Sequence, residues 1–134
     1  MSHSVVRDAR PEDYAVLQRI HAAQGIDYAF PDLSSPLFFC KKVRELDGEV
    51  HAALVLKLCA ETSLLLGSSG PQEKMAAMRE LQQAVLSEAY ERGLDDVYAS
   101  IPEIGFDRRL RQLGWEKDRP GWQLWTRRTG CDQQ

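Results

Sequence analysis

Cysteine is scarce in this chain, and long apolar runs are missing. The 134 residues include only three cysteines, Cys40, Cys59 and Cys131, an odd number with no close spacing. That excludes a disulfide framework and a Cys-x-x-Cys zinc site, and predicts reduced thiols in a cytoplasmic protein. The three histidines, His3, His21 and His51, are equally scattered, so no metal is expected. The longest apolar stretches, such as AALVL, are strand-sized and far short of a membrane span. The opening MSHSVVRDAR lacks the apolar segment of a secretory signal. Positive charge is not in excess either. Lys and Arg total 17 against 20 Asp and Glu, a formal net charge of −3. That balance argues against general nucleic-acid binding, which needs a basic surface, while leaving room for a local basic patch, and no membrane partner is expected.

What is present is a soluble globular composition, 43 % apolar and 28 % charged. The length fits a single domain over 1–134, with a core over about 5–127 and a frayed tail. SVVRDAR alternates like a short strand. PEDYAVLQRIHAAQG then reads as a helix, with Pro11 in its first turn and Glu12 and Asp13 complementing its dipole. Tyr14, Leu17, Ile20 and His21 recur at helical spacing, and Gly25 ends the run. IDYAFPDLSSPL is rich in turn residues, with room for one short helical turn. FFCKKVREL and EVHAALVLKL flank Asp47-Gly48, a strong hairpin signal, and that register sets His51 opposite Arg44. The nearly continuous apolar AALVLKL predicts a central strand covered on both faces. AETSLLL reads as a third consecutive strand, again antiparallel.

A small-residue stretch, GSSGPQEKMAAMRELQ, runs into the longest helix, expected from about Glu73 to Arg92. Met75, Met78, Leu81, Val85 and Ala89 form its apolar stripe, and Gly93 stops it. Such a junction favours an anion, because free N–H groups and the helix dipole meet there. DDVYASI follows as a strand, implying a parallel crossover. A short helix from about Phe106 to Leu113 stops at Gly114. WEKDRPGWQLWTRR, with Trp115, Trp122 and Trp125, predicts a closing hairpin. The order β-α-β-β-β-α-β-α-β-β predicts an α/β (α+β) protein with a mixed central sheet.

That order, with VRDARPEDYAVLQRIH, VRELDGEVHAALVLKL, LQQAVLSEAYERGLDDVYASIPE and FDRRLRQLGWE in sequence, resembles the GNAT superfamily, the acyl-CoA N-acyltransferases. The resemblance implies the GNAT-like fold and transfer of an acetyl group from acetyl-CoA to a primary amine. It places the pyrophosphate on the loop before the long helix, where the family carries Gln/Arg-x-x-Gly-x-Gly/Ala. QEKMAA is the best match: Gln72 and Ala77 fit, Met75 replaces a glycine, and Pro71 removes a donor. Leu66, Ser68, Ser69, Gly70, Gln72, Met75, Ala76 and Ala77 are thus the implied cofactor-binding residues. Arg108, Arg109 and Arg111 of DRRLRQLGW read either as a solvated face or as an anion contact, for a CoA phosphate or an acidic partner, with Arg109 the candidate cofactor contact.

Amine acetylation needs a base for the ammonium, polarisation of the thioester and an acid for the thiolate. Glu61 is the leading base by the resemblance, with Glu103 second; an exposed strand carboxylate and a solvated one are the plain readings. The family's acidic Tyr falls on Leu110, which carries no proton. Tyr98 is a replacement acid or a packing residue, and without it solvent protonates the thiolate. Strand edges near Leu66 and Ser100 would polarise the thioester. The acceptor would be a small-molecule or peptide amine, lined by IDYAFPDLSSPLF, and a homodimer stays open. Met75 and Leu110 equally suit a catalytically inactive GNAT-like domain that binds a ligand or a protein.

Overall fold

The structure is a computed structural model that describes residues 2–100, 107–117 and 124–130. The chain forms two compact units, Met1–Ser100 and Ile101–Gln134. The first is a mixed α/β unit. Its order is β1 (Ser4–Asp8), a 3₁₀ turn (Pro11–Asp13), α1 (Tyr14–Gln24), β2 (Phe38–Leu46), β3 (Glu49–Lys57), β4 (Ala60–Thr62), α2 (Pro71–Glu91) and β5 (Val97–Ala99). The second unit contributes α3 (Asp107–Gln112). The expected order therefore holds through the third helix. Residues 115–117 and 124–128 form no strand, and the rest of the expected closing hairpin, Trp122 included, lies outside the described residues.

Local signals fall where the sequence put them. Asp47 and Gly48 adopt φ of 52° and 85°, the pair of positive values that a two-residue type I′ hairpin requires. Gly25, Gly93 and Gly114 all take positive φ just past their helices. At Gly93 the next amide, Leu94 N–H, reaches back to Ala89 O at 3.0 Å, and Trp115 N–H does the same to Leu110 O at 3.0 Å. Both are left-handed stops that satisfy last-turn carbonyls. IDYAFPDLSSPL holds turns rather than a helix, because Asp32 takes the Ser34 amide and hydroxyl with its own carboxylate.

The expected single mixed sheet is instead two sheets among the described residues: antiparallel β1-β2-β3 and parallel β4-β5. β4 is not the antiparallel neighbour of β3. Leu58 N–H still bonds Leu37 O at 2.8 Å, so the chain follows β2 to that point. Only Cys59 then separates it from β4, and a tight hairpin needs two loop residues. Nor is β3 central. β2 takes β3 through the tight turn on one side and β1 on the other, which leaves β3 at the edge among the described residues. Its outward leucines, Leu54 and Leu56, are exposed. The β2–β3 ladder skips His51 on β3 near the turn and Phe39 on β2 at the far end. Arg44 consequently pairs with Ala52 rather than His51, although its Nη1 still lies 2.7 Å from His51 Nε2.

The core lies on the other face of this sheet. Leu17 of α1, Leu33 of the loop and Val43 of β2 are buried together, with Tyr14, Ile20, Phe38, Val50 and Val55 packed around them. Lys41 ties the loop down through its Nζ, which donates to Leu33 O at 2.7 Å and Tyr14 Oη at 3.0 Å. Asp13 departs from its expected dipole role. It is buried and accepts both terminal nitrogens of Arg7, whose Nε holds Glu45 at 2.8 Å. On α2, Met78 and Ala89 are buried, but Leu81 and Val85 of the expected stripe are exposed. No helix among the described residues is long and apolar enough to cross a membrane.

Candidate functional site

β4, α2 and β5 form a strand–helix–strand unit with a parallel pair, as the sequence predicts. Ala60, Glu61 and Thr62 pair in register with Val97, Tyr98 and Ala99. The ladder stops at Thr62 and Ala99, so Ser100 is the first residue beyond it. In parallel α/β units the carboxyl ends of the strands are where ligands bind, since helices begin there and the chain diverges. The polar side chains of this pair gather at that end.

Glu61 lies directly across from Tyr98, and Ser100 follows two residues later on the same face. Ser100 Oγ donates to Glu61 Oε1 at 2.9 Å, with both groups exposed. Thr62 Oγ1 donates to Tyr98 O at 3.3 Å, fixing the two strands beside the carboxylate. The approach to β5 is anchored from β3. Lys57 Nζ lies 3.2 Å from Asp95 Oδ2 and 3.7 Å from Asp96 Oδ2. Partial burial opposes the charge on Lys57, but the hydrogen bond to Asp95 and the negative groups around it outweigh that and hold its pKa above the ordinary lysine value. Glu61 and Ser100 are exposed, whereas Tyr98 on the same face is half-buried; an open carboxylate and hydroxyl can accept, hold and return a proton.

The loop expected to hold the pyrophosphate is open. Leu66, Ser68, Ser69 and Gly70 are all exposed, and a methyl group added at Gly67 or Gly70 would meet nothing within 4 Å. Gly70 is the cap of α2 with extended backbone, and no side chain bonds the helix start. Pro71 is the first helical residue, so the first donors are the Gln72 and Glu73 amides; the Lys74 amide already bonds Gly70 O at 3.0 Å. Gln72 and Ala76 are exposed, whereas Met75 and Ala77 are half-buried. Met75 thus sits inside the helix's second turn, on the inward stripe with Met78, and not in the loop where a glycine would admit a phosphate.

Of the three predicted catalytic residues, the structure brings Glu61 and Tyr98 together. Glu103 lies outside the described residues. Arg109 is exposed on α3, in the second unit, with Arg108 and Arg111 beside it. His21 packs edge-on against Tyr28 and Phe30, at 5.2 Å and 5.7 Å between ring centroids. Cys40 is half-buried in β2, and Cys59 is exposed between β3 and β4. Among the described residues no three His, Cys, Asp or Glu side chains gather so as to hold a metal ion. The sequence reading missed Ser100 as the partner of Glu61. Its only signal was spacing: a residue two beyond Tyr98 faces the same side in a strand.

No protein-family model matches the chain, and no curated protein matches it. Among solved structures it is similar to the crystal structure of a predicted acetyltransferase with acetyl-CoA from Clostridium acetobutylicum. The identity is 14 %, over 92 % of this chain and 96 % of that one, with a TM-score of 0.38. Likeness at that level is too slight to carry fold or function.

Proposed function

We propose that this chain is a GNAT-like N-acetyltransferase that moves an acetyl group from acetyl-CoA to a primary amine by direct attack. The observation that carries the reading is the grouping of Glu61, Tyr98 and Ser100 at the carboxyl end of a parallel β4–β5 pair joined by a long helix. The family resemblance of the sequence supplies the rest. Glu61 takes the amine proton, since its carboxylate is exposed to an incoming substrate. Residues Ser68 to Ala77 receive the pyrophosphate through the open loop and the Gln72 and Glu73 amides. The acceptor is a small-molecule or peptide amine. The test is thermal unfolding with a millimolar excess of acetyl-CoA, followed by thiol release with a panel of primary amines. A rise in Tm together with amine-dependent thiol release supports the transferase. No rise in Tm removes acetyl-CoA from the proposal.

A second reading is a domain that binds a ligand or protein without catalysis. Pro71, which offers no N–H at the first helical position, favours it. A rise in Tm without thiol release from any amine would select this reading over the first.

A further inference from the structure

We propose that Ser100 is the proton donor to the leaving thiolate, recharged by Glu61, so that the two side chains form a closed relay. The inference rests on the acetyltransferase reading above and concerns the same site. Its basis is the bond from Ser100 Oγ to Glu61 Oε1 at 2.9 Å, which spans two strands and 39 positions of sequence. The carboxylate has a second oxygen, Oε2, which accepts no hydrogen bond among the described residues. One oxygen therefore holds the serine, and because Glu61 is exposed the carboxylate is open to an incoming amine.

The proton balance closes with these two groups alone. The substrate enters the relay as the neutral amine, its ammonium proton having been lost to solvent; the nitrogen's lone pair forms a bond to the thioester carbonyl carbon, and the carbon–sulfur bond breaks with its electron pair on sulfur. The attacking nitrogen loses one proton, which passes to Glu61. Ser100 gives its hydroxyl proton to sulfur. A half-turn of the Glu61 carboxyl then presents the acquired proton to the Ser100 oxygen. The products are the acetamide and the free thiol, and both side chains regain their starting states. Serine is a weak acid by itself, but here it is only a conduit between a carboxylic acid and a more basic thiolate, so the overall transfer runs downhill. The exposed setting leaves the carboxyl free to turn, which a packed carboxylate could not do.

The experiment compares the full chain with its Ser100→Ala and Ser100→Thr variants, using two acetyl donors. Acetyl-CoA has a basic thiol that leaves better with a proton. p-Nitrothiophenyl acetate has an acidic thiol that leaves without one. Ser100→Ala is expected to lower kcat about 100-fold with acetyl-CoA. With the aryl thioester the same variant is expected to keep most of its rate, and Ser100→Thr, which retains the hydroxyl, to keep most of it with both donors. A loss of equal size on the two donors would show that Ser100 supports structure rather than the leaving group, and would overturn the relay. So would an unchanged kcat for Ser100→Ala with acetyl-CoA, while the transferase reading would stand. Absence of both acetyl-CoA binding and thiol release in the unaltered chain overturns the two together.

Discussion

Arg7 and Asp13 form a two-pronged ion pair, Nη1 to Oδ2 at 2.8 Å and Nη2 to Oδ1 at 3.0 Å, that clamps the first strand to the start of the first helix. Asp13 Oδ2 also accepts the Arg10 amide at 2.7 Å, so one carboxylate closes the turn between the two elements. The hydrogen bonds from Arg7, aided by the Arg10 amide, hold Asp13 at about 2 against the opposing effect of burial. Its folded pKa is thus depressed, and the folded state binds fewer protons than the unfolded one. The contribution to stability is complete above about pH 4 and fades as pH falls toward 2. Asp13→Asn is expected to cost roughly 1.5–3 kcal/mol at neutral pH. Urea unfolding between pH 2 and 7 should show a shallower acid decline in the variant; an unchanged decline would mean that other carboxylates govern it.

The hairpin turn yields a sharper and smaller effect. Gly48 has φ of 85°, a left-handed value that strains any side chain, although a methyl group there would meet no neighbour. Gly48→Ala is therefore expected to destabilise by about 1–2 kcal/mol through backbone strain alone. A Tm at or above that of the parent would contradict the turn geometry.

Leu33 is only 3 % exposed although it belongs to a loop. Leu33→Ala should open a cavity beside Leu17 and Val43 and cost about 2–5 kcal/mol. Hydrogen exchange is the useful measurement, because loss of the plug should also raise exchange along residues 30–37. A cost under about 0.5 kcal/mol would place the variant among ordinary surface substitutions and remove Leu33 from the core.

Leu54 tests the opposite case. It is 77 % exposed on an edge strand that the sequence pattern assigns to the interior. Leu54→Lys is expected to change stability by less than about 0.5 kcal/mol and to raise solubility, since an edge charge discourages strand addition. A loss of several kcal/mol would return β3 to a covered position.

The features legible in the sequence are those set within a few residues. Positive φ at Gly48, Gly93 and Gly114 follows from what glycine alone tolerates, and the helical spacing of Leu17 and Ile20 follows from one turn of helix. The β4 position was not legible in this way. Whether AETSLLL turns back beside β3 depends on Leu58, whose amide is committed to Leu37 about twenty residues away. The inward and outward faces of AALVLKL depended likewise on β1 taking the far side of β2, a choice that the strand's own composition does not encode. The site divides along the same line. Glu61 and Tyr98 stood out as chemistry-bearing residues, but their alignment rests on the register of a pair only three residues long. Ser100 joined them only once that register was known. Asp13 looked like a dipole partner because acidic residues at helix starts usually are; its bond to Arg7 needed the strand to lie alongside.

The skipped residues His51 and Phe39 have a consequence for how the hairpin tolerates change. One extra residue on β3 shifts the ladder by a single position, and one extra residue on β2 shifts it back. The two ends of the hairpin therefore share a common reading frame, and the middle, from Cys40 to Arg44, runs in another. Removing either residue alone would leave an uncompensated frameshift in the pairing and send side chains beyond it to the wrong face. Removing both would merge the frames, so lengths on the two strands are bound to change in matched pairs.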